Sequence, residues 1–293
     1  MSWTASSNNS LLDSLTALAP DSSKNTLRSW ISQGRIDVEG KMIKDPKFVV
    51  KKGSSIVLGV RKQFINYGIE ILHEDRSVIV IHKPEGLLSV GTDYSPFKNV
   101  HGFLKRRAPG RTVYPVHRLD RETSGVMMFA YTEDAKDHLK KQFEMHSIQR
   151  EYIAIVEGTL SESKGTWRSF LVEDERYHVK STTQDAGGKE AITHYTVMQK
   201  NKFTSMIKLK LETGKKNQIR VHCSEAGYPV VGDEKYDSKC IKPPRMYLHA
   251  ALLGFIHPDT EKPLLFERHP SPDFFAGMKK KIGIDPLEQL GKE

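Results

Sequence analysis

HRLDRETSG, residues His117 to Gly125, is a polar stretch that leads directly into the apolar run VMMFA at residues 126–130. Asp120 in this stretch follows the bulky Leu119, and three basic residues are close to it in sequence, namely His117, Arg118 and Arg121. A carboxylate in such surroundings is either a reactive group or one half of a plain ion pair. The rest of the chain has to decide between these two interpretations.

Length and composition limit the class of protein. A chain of 293 residues is long enough for one large domain and one small domain. Its 2 cysteines, Cys223 and Cys240, are too few for a disulfide framework and lack the C-x-x-C spacing of a structural zinc site. No apolar run approaches the roughly 20 residues that span a membrane, and residues 1–10 lack signal-peptide features. We therefore expect a cytoplasmic protein without membrane contact or metal.

The charge of the chain favours a polyanionic partner. Lysine and arginine number 45 against 36 aspartate and glutamate residues, a formal net charge of +9. Basic residues also recur in clusters, such as Lys105-Arg106-Arg107 and Lys215-Lys216. Phosphate groups attract such surfaces independently of nucleotide sequence. A polyanion is the expected partner, and the alternative is a basic surface that serves only solubility.

Residues 8–60 are predicted to form a small α+β domain. LLDSLTALAP has helical apolar spacing that Pro20 ends, and a second helix, capped by Asp21 or Ser22, stops at Gly34. Short strands follow at RIDVEG, FVVKKG and SSIVLGV. This order, above all in WISQGRIDVEGKMIKDPKFVVKKGSSIVL, resembles the small RNA-binding module first named from a ribosomal protein. The alternative is a structural or dimerisation domain.

The larger part of the chain is predicted to be rich in strands. EYIAIVEG carries apolar residues on both faces, as a central strand does, and SMIKLKLETG alternates between apolar and polar residues. Helices are fewer, and the clearest ones start after Thr132 and at Asn217. The charged stretch at 161–189 is predicted to be a loop or hairpin insertion.

Several stretches together resemble the RluA-type pseudouridine synthases. YPVHRLDRETSGVMMFA matches the catalytic-loop motif H-R-L-D-x-x-T-S-G in full. REYIAIVEG resembles the tyrosine strand of that family, TGKKNQIRVHCSEAGYPVVGDEKY its arginine segment, and YLHAALLGFIHPDT its late L-H-A…H-P motif. With IHKPEGLLSV, the resemblance runs from about residue 70 to about residue 265. Lys215 and Asn217 stand where the arginine segment usually has Arg and His.

The resemblance implies the fold and the division of the chain. The fold class is α+β, with a mixed, mostly antiparallel curved central sheet, flanking helices and a central cleft, preceded by a small N-terminal α+β RNA-binding domain. The predicted boundaries are 8–60 for the RNA-binding module, 61–69 for a linker, 70–280 for the catalytic domain and 281–293 for a C-terminal tail.

The resemblance also implies the chemistry, which is isomerisation of uridine within RNA. The base is detached from the ribose, turned and rejoined through carbon 5, and since no atoms or electrons are gained or lost, no cofactor or metal is expected. Asp120 is implied to attack the ribose or the base, or to assist elimination, and the sequence leaves this choice open. Arg220 is implied to pair with Asp120 and keep it ionised, and Tyr152 to stack on the base and help move the carbon 5 proton.

Further residues are predicted to bind the substrate. The resemblance implies that Arg118 corresponds to the residue that, in this family, fills the space left in the RNA by a flipped-out base. The remaining predicted substrate-binding residues are Lys83, His117, Arg121, Thr123, Lys215, Asn217, Gln218 and Val221. We expect a monomer that acts on structured RNA, with large-subunit ribosomal RNA as the leading substrate because of the appended module. A tRNA substrate and a non-catalytic ribosome-assembly factor are the alternatives, and a pure binding protein has no need of Asp120, Tyr152 and Arg220 together.

Overall fold

The computed structural model describes residues 1–59, 63–92, 95–240, 244–276 and 278. The chain divides into two compact units, Met1–Phe64 and Ile65–Glu293. The predicted C-terminal tail and residues 61 and 62 of the predicted linker lie outside the described residues. Within these ranges, no helix combines the length and the apolar character needed to cross a bilayer.

The first unit consists of two helices and two small antiparallel sheets. Helices α1 (Leu11–Leu18) and α2 (Lys24–Ser32) each start at a serine whose hydroxyl accepts a hydrogen bond from a backbone N–H of the first turn. The strands are β1 (Ser2–Thr4), β2 (Asn9–Ser10), β3 (Ile36–Val38), β4 (Lys41–Met42), β5 (Val49–Val50) and β6 (Ser55–Leu58). Their order is β1-β6-β3-β4 in one sheet and β2-β5 in the other. Helices and strands share one apolar core, which includes Leu11, Leu15, Leu27, Ile31, Ile36, Val50 and Ile56.

Both helices predicted for this unit are present, with two differences in detail. The cap of α2 is Ser23, not Asp21 or Ser22. The unit also includes β1, which lies before the predicted boundary at residue 8 and pairs with β6. The start of the chain, MSWTASSNNS, has no strand periodicity of its own, so only its pairing with β6 shows that it is part of this unit.

The second unit is built on a long mixed sheet. The strands are β7 (Gln63–Ile65, across the unit boundary), β8 (Ile69–Glu74), β9 (Val78–Lys83), β10 (Tyr114–Pro115), β11 (Ser124–Ala130), β12 (Gln149–Glu157), β13 (Lys164–Glu173), β14 (Val179–Thr182), β15 (Lys189–Lys200), β16 (Thr204–Leu211), β17 (Leu248–Ile256) and β18 (Pro263–Glu267). From β14 to β8 the order is β14-β13-β15-β16-β12-β17-β11-β9-β8. β11 and β17 are parallel, and the other pairings described between these strands are antiparallel. The predicted mixed, mostly antiparallel sheet is confirmed.

Helices cover both faces of this sheet. The helices are α3 (Val100–Arg107), α4 (Glu133–Glu144), α5 (Gln218–Glu225) and the short α6 (Pro272–Ala276). Phe103 of α3 packs with Ile79 and Ile81 of β9, whereas Leu139 of α4 packs with Val80, which points the opposite way along the same strand. Because side chains alternate along a strand, α3 and α4 must lie on opposite faces. The helix predicted after Thr132 is α4, and Thr132 caps it.

The described part of the predicted linker has regular structure, and the stretch at 161–189 contains a hairpin, which was one of its two predicted alternatives. The described part of the predicted linker forms β7, a 3-10 turn at Asn66–Gly68 and the first residue of β8, Ile69, which is fully buried. The predicted linker therefore differs from the structure, because Ile69 already belongs to the core. The charged stretch at 161–189 contains the antiparallel pair β13 and β14, which extends the sheet beyond β15.

Candidate active site

Three neighbouring strands bring HRLDRETSG close to the predicted tyrosine strand. Ala250 on β17 pairs with Gly125 of β11 on one side and with Tyr152 of β12 on the other. Gly125 has a φ of 129°, and a Cβ there would lie 2.2 Å from the Ala250 carbonyl oxygen, so a side chain does not fit. The β12–β17 register shifts between Glu151 and Tyr152, where Ala251 is an extra residue on β17, whereas β12 stays in regular register with β16. The loop at 117–123 therefore ends about 10 Å, or two strand spacings, from Tyr152.

Buried polar side chains hold this loop in place. The Ser89 hydroxyl donates to the Leu119 carbonyl at 2.6 Å and accepts from the Leu119 N–H at 3.0 Å. The ammonium group of Lys83 donates to three backbone carbonyls, those of Pro84 (2.9 Å), Leu87 (2.8 Å) and Arg121 (3.1 Å). These contacts fix the backbone on both sides of Asp120 before any substrate arrives, which is the preorganisation that catalytic groups require.

The prediction that Lys83 binds the substrate disagrees with this geometry. Its side chain is fully buried, and an ammonium group has only three N–H donors, all of which bind the backbone. Burial lowers the pKa of Lys83 to about 7, against the opposing attraction of Glu122, Asp120 and Glu85. Lys83 thus positions the loop and does not reach the cavity described below.

Arg220 joins Asp120 to a second carboxylate. Its Nη1 donates to Asp120 Oδ2 at 2.9 Å, while Nε and Nη2 donate to the two oxygens of Asp233 at 2.6 and 2.7 Å. Burial alone would lower the pKa of Arg220, but hydrogen bonds and charge attraction from Asp233 and Asp120 outweigh it and raise the pKa. The bidentate pair with Asp233 fixes the guanidinium, so Nη1 remains directed at Asp120. The predicted contact between Arg220 and Asp120 is present.

Asp120 and Tyr152 line an open cavity of about 400 Å³. Its walls combine basic and apolar side chains, and the lining includes Arg118, Thr123, Phe143, Arg150, Leu211, Lys215, Asn217, Gln218, Arg220 and Leu248. Burial raises the pKa of Tyr152, Arg150 opposes the rise, and Asp120 adds to it. The Tyr152 hydroxyl is therefore protonated at neutral pH. The three predicted catalytic residues meet in one place.

The predicted substrate-binding residues differ in their access to this cavity. Arg118 is exposed at the cavity, and Lys215 lines it with a partly exposed side chain. Arg121 is not among the lining residues, and its Nε donates to Glu122 at 2.8 Å. Val221 is buried in an apolar cluster with Leu171, Val179, Ala191 and Tyr236. The prediction for Val221 therefore disagrees with the structure, because its side chain is buried. Arg121 lies outside the cavity with an exposed side chain, and its contact with RNA stays a prediction.

His117 and Gln218 line the cavity, but their polar atoms make hydrogen bonds to other residues of the chain. His117 Nε2 accepts from the Met128 N–H at 3.1 Å, and burial together with the charge of Arg150 lowers the pKa of His117 to about 3. The Gln218 amide accepts from Thr213 and from the Lys215 N–H, and donates to Ile192 and Thr193. Thr123 is also on the cavity wall but is almost fully buried. These three residues shape the wall.

Asn217 lies immediately before α5, at its N-cap, in an unusual backbone conformation. Its φ of 53° lies in the left-handed region, which asparagine adopts more readily than most residues. Its side-chain amide donates to the Tyr236 hydroxyl at 3.0 Å. The asparagine that replaces the usual histidine is therefore suited to this turn.

Sequence reasoning missed three contributors to the site. Arg150 lies two residues before Tyr152 on β12, and the period-2 alternation of strands was a signal that both share a face. Phe143, at the last turn of α4, has the helical apolar spacing of an ordinary core residue, so the sequence carries no signal of its place at the cavity. For Asp233 no local signal exists, because its pairing with Arg220 arises only when the chain folds.

Solved structures place this fold in a known class. A structure titled human RNA pseudouridylate synthase domain containing 1 matches 76% of this chain and 93% of its own, with a TM-score of 0.61 and 26% identity. A second structure, titled human RNA pseudouridylate synthase domain containing 4, shares the fold. It has a TM-score of 0.59 and 24% identity over 71% of this chain and 91% of its own. The fold is therefore that of the pseudouridylate synthase domains.

Sequence comparisons define the family. Residues 77–225 match the family described as RNA pseudouridylate synthase, and residues 11–56 match the S4 domain. The chain is 33% identical to the ribosomal large subunit pseudouridine synthase D of Pseudomonas aeruginosa, over 94% of this chain and 92% of that protein. It is 32% identical to an uncharacterized RNA pseudouridine synthase of Bacillus subtilis, over 87% and 88%. The chain belongs to the RNA pseudouridylate synthase family, in its RluA-type branch, as predicted.

The protein is thus an RNA pseudouridine synthase that carries an N-terminal RNA-binding S4 domain. RNA is its substrate, which agrees with the net charge of +9.

Proposed function

We propose that this enzyme isomerises uridine in large-subunit ribosomal RNA, with Asp120 as the nucleophile and the target base flipped into the cavity. One observation carries the proposal: the Asp120 carboxylate lies on the cavity wall, 24% exposed, with one oxygen held 2.9 Å from Arg220. The choice of ribosomal RNA is supported by several relatives named ribosomal large subunit pseudouridine synthase D and by the S4 domain.

The isomerisation breaks the bond from ribose carbon 1′ to N1 and forms one from carbon 1′ to carbon 5. The hydrogen on carbon 5 leaves as a proton, and N1 gains a proton. Asp120 serves this exchange by attacking the sugar or the ring, or by assisting elimination, and each route needs an ionised carboxylate. Arg220 donates a hydrogen bond from Nη1 to Asp120 Oδ2 and so fixes the direction of the carboxylate.

The target base has to leave its stack before Asp120 can reach it. A stacked or paired uridine hides both reacting carbons, so enzymes that act on bases turn the nucleotide out at a cost of a few kcal/mol. In our proposal the Tyr152 ring stacks on the flipped base, while the basic side chain of Lys215 at the cavity binds a nearby phosphate. The enzyme acts as a cytoplasmic monomer without metal or cofactor.

Mapping pseudouridines in RNA tests the substrate. In cells that lack the gene, we expect specific pseudouridines to disappear from large-subunit ribosomal RNA and to return when the purified enzyme is added to that RNA. If pseudouridines disappear from transfer RNA alone, transfer RNA and not ribosomal RNA is the substrate. Unchanged pseudouridines in both RNAs, together with tight RNA binding, would favour the non-catalytic assembly factor.

Arg118→Ala is expected to impair base flipping selectively. Arg118 is exposed at the cavity two residues before Asp120, and a planar guanidinium suits stacking in the gap left by the base. We expect a larger loss of activity on a uridine in a stable stem than on the same uridine beside a mismatch, where unstacking is already easy.

Fluorescence of 2-aminopurine placed beside the target reports the flipping step directly. Arg168→Ala, which removes an exposed arginine paired with Glu190, is the control. An equal loss on both RNAs, with normal flipping fluorescence, would assign Arg118 to another step.

A further inference from the structure

Arg150 has a buried guanidinium group with almost no partner. The side chain lines the catalytic cavity and is only 8% exposed. Among the described residues, its Nε has no hydrogen-bond partner. Its single described hydrogen bond runs from Nη2 to the Glu212 carbonyl at 3.4 Å, which is longer than the usual range of about 2.7–3.2 Å. Buried donors are normally satisfied, so this group is suited to a partner that enters the cavity.

Phe143 and Gly214 flank the Arg150 guanidinium. Its Cζ lies 5.5 Å from the centre of the Phe143 ring. On another side is Gly214, where a Cβ would lie 2.2 Å from Arg150 Nη1. A glycine at position 214 therefore provides the space that the guanidinium occupies. Burial lowers the pKa of Arg150, which Tyr152 partly opposes, in keeping with a cation that lacks a fixed counterion.

We propose that Arg150 binds the flipped-out uracil and stabilises the negative charge that develops on its carbonyl oxygens. This inference rests on the proposed function and adds a residue to it. When the bond to N1 breaks, uracil leaves as an anion whose charge spreads to its oxygens, and attack on the ring also places charge there. Either route benefits from a fixed cation that is directed at the developing charge.

The lining of the cavity favours the base over a phosphate as the ligand of Arg150. Phe143, Leu211 and Leu248 line the same cavity, and an apolar wall suits a flat ring better than a strongly hydrated phosphate. Lys215 and Lys216 lie nearer to solvent and are suited to phosphates. Arg150 also shares a strand face with Tyr152, since the two are two residues apart on β12.

Two variants of Arg150 test the inference in single-turnover assays with the full-length enzyme. We expect Arg150→Met to lower the rate of isomerisation by about 10²–10³-fold, as when one charge-stabilising donor is removed, with the Kd for RNA changed less than about twofold. Arg150→Lys keeps the charge, so its rate of isomerisation should be at least about tenfold higher than that of Arg150→Met. Arg168→Met removes an exposed arginine that pairs with Glu190 and should behave like the wild type.

A second substrate separates charge stabilisation from a structural role. Fluorine at carbon 5 withdraws electrons and stabilises negative charge on the ring, so 5-fluorouridine in the same RNA should reduce the Arg150→Met defect by at least about tenfold. Because fluorine blocks the final proton loss from carbon 5, the assay follows cleavage of the bond to N1. The wild-type rate on each RNA is the reference.

Three results would overturn the inference. The first is a wild-type isomerisation rate for Arg150→Met, and the second is an equal loss of rate on both RNAs. The third is a change in the Kd alone, with the slope of log affinity against log salt concentration reduced by about 0.7–0.9, which indicates a phosphate contact. If Arg150→Met fails to fold, Arg150→Lys alone decides, because its smaller defect must also shrink on the fluorinated RNA. Wild-type enzyme that forms no pseudouridine would instead contradict the proposed function.

Discussion

Asp120→Asn is expected to lower the rate of pseudouridine formation by about 10⁴-fold or more, the size of loss seen when a catalytic nucleophile is removed. The amide keeps the shape of the side chain but has no negative charge and is a poor nucleophile. Its oxygen can still accept the hydrogen bond that Arg220 Nη1 donates to Asp120 Oδ2. RNA affinity should therefore stay within about twofold, because phosphate contacts supply most of it.

Single-turnover isomerisation and RNA binding are measured on the same RNA fragment. The control is Asp137→Asn, the same chemical change at an exposed position on α4, which should leave both quantities unchanged. Formation of pseudouridine by Asp120→Asn at near the wild-type rate would make Asp120 one half of a structural ion pair, the other interpretation that the sequence allowed.

Asp233→Asn is expected to destabilise the catalytic unit and to reduce its activity. Asp233 is fully buried and accepts two hydrogen bonds from Arg220. Breaking a buried ion pair by removing one charge typically costs about 3–5 kcal/mol, which corresponds to a fall in Tm of about 6–20 °C for a unit of this size. Activity should fall as well, because the guanidinium is then free to turn away from Asp120.

Thermal unfolding followed by circular dichroism measures the fall in Tm, and the isomerisation rate is measured well below it. Glu190→Gln, which removes one half of the exposed pair with Arg168, should shift Tm by no more than about 2 °C. A wild-type Tm for Asp233→Asn would mean that Arg220 does not depend on Asp233 for its position.

Local patterns in the sequence were enough to predict most of the elements. Three examples are the leucine spacing of α1 with Pro20 behind it, Thr132 at the start of α4, and the β12 run with apolar residues on both faces. Each depends on residues within about ten positions of each other. Such periods arise from the helix and strand geometry itself. The strand β1 escaped prediction because its three residues gain stability only through β6.

The sequence by itself determined the family, the mixed sheet, the small N-terminal module and three residues that meet in the cavity. Short motifs of adjacent residues carry this information. Only the tertiary structure decided that Asp233 fixes Arg220 and that Lys83 binds backbone carbonyls of the catalytic loop. It also decided that Arg150 lines the cavity. Arg220 and Asp120 are 100 positions apart in the chain. Contacts of this kind depend on how strands pair and which side chains become buried, and no local period records either.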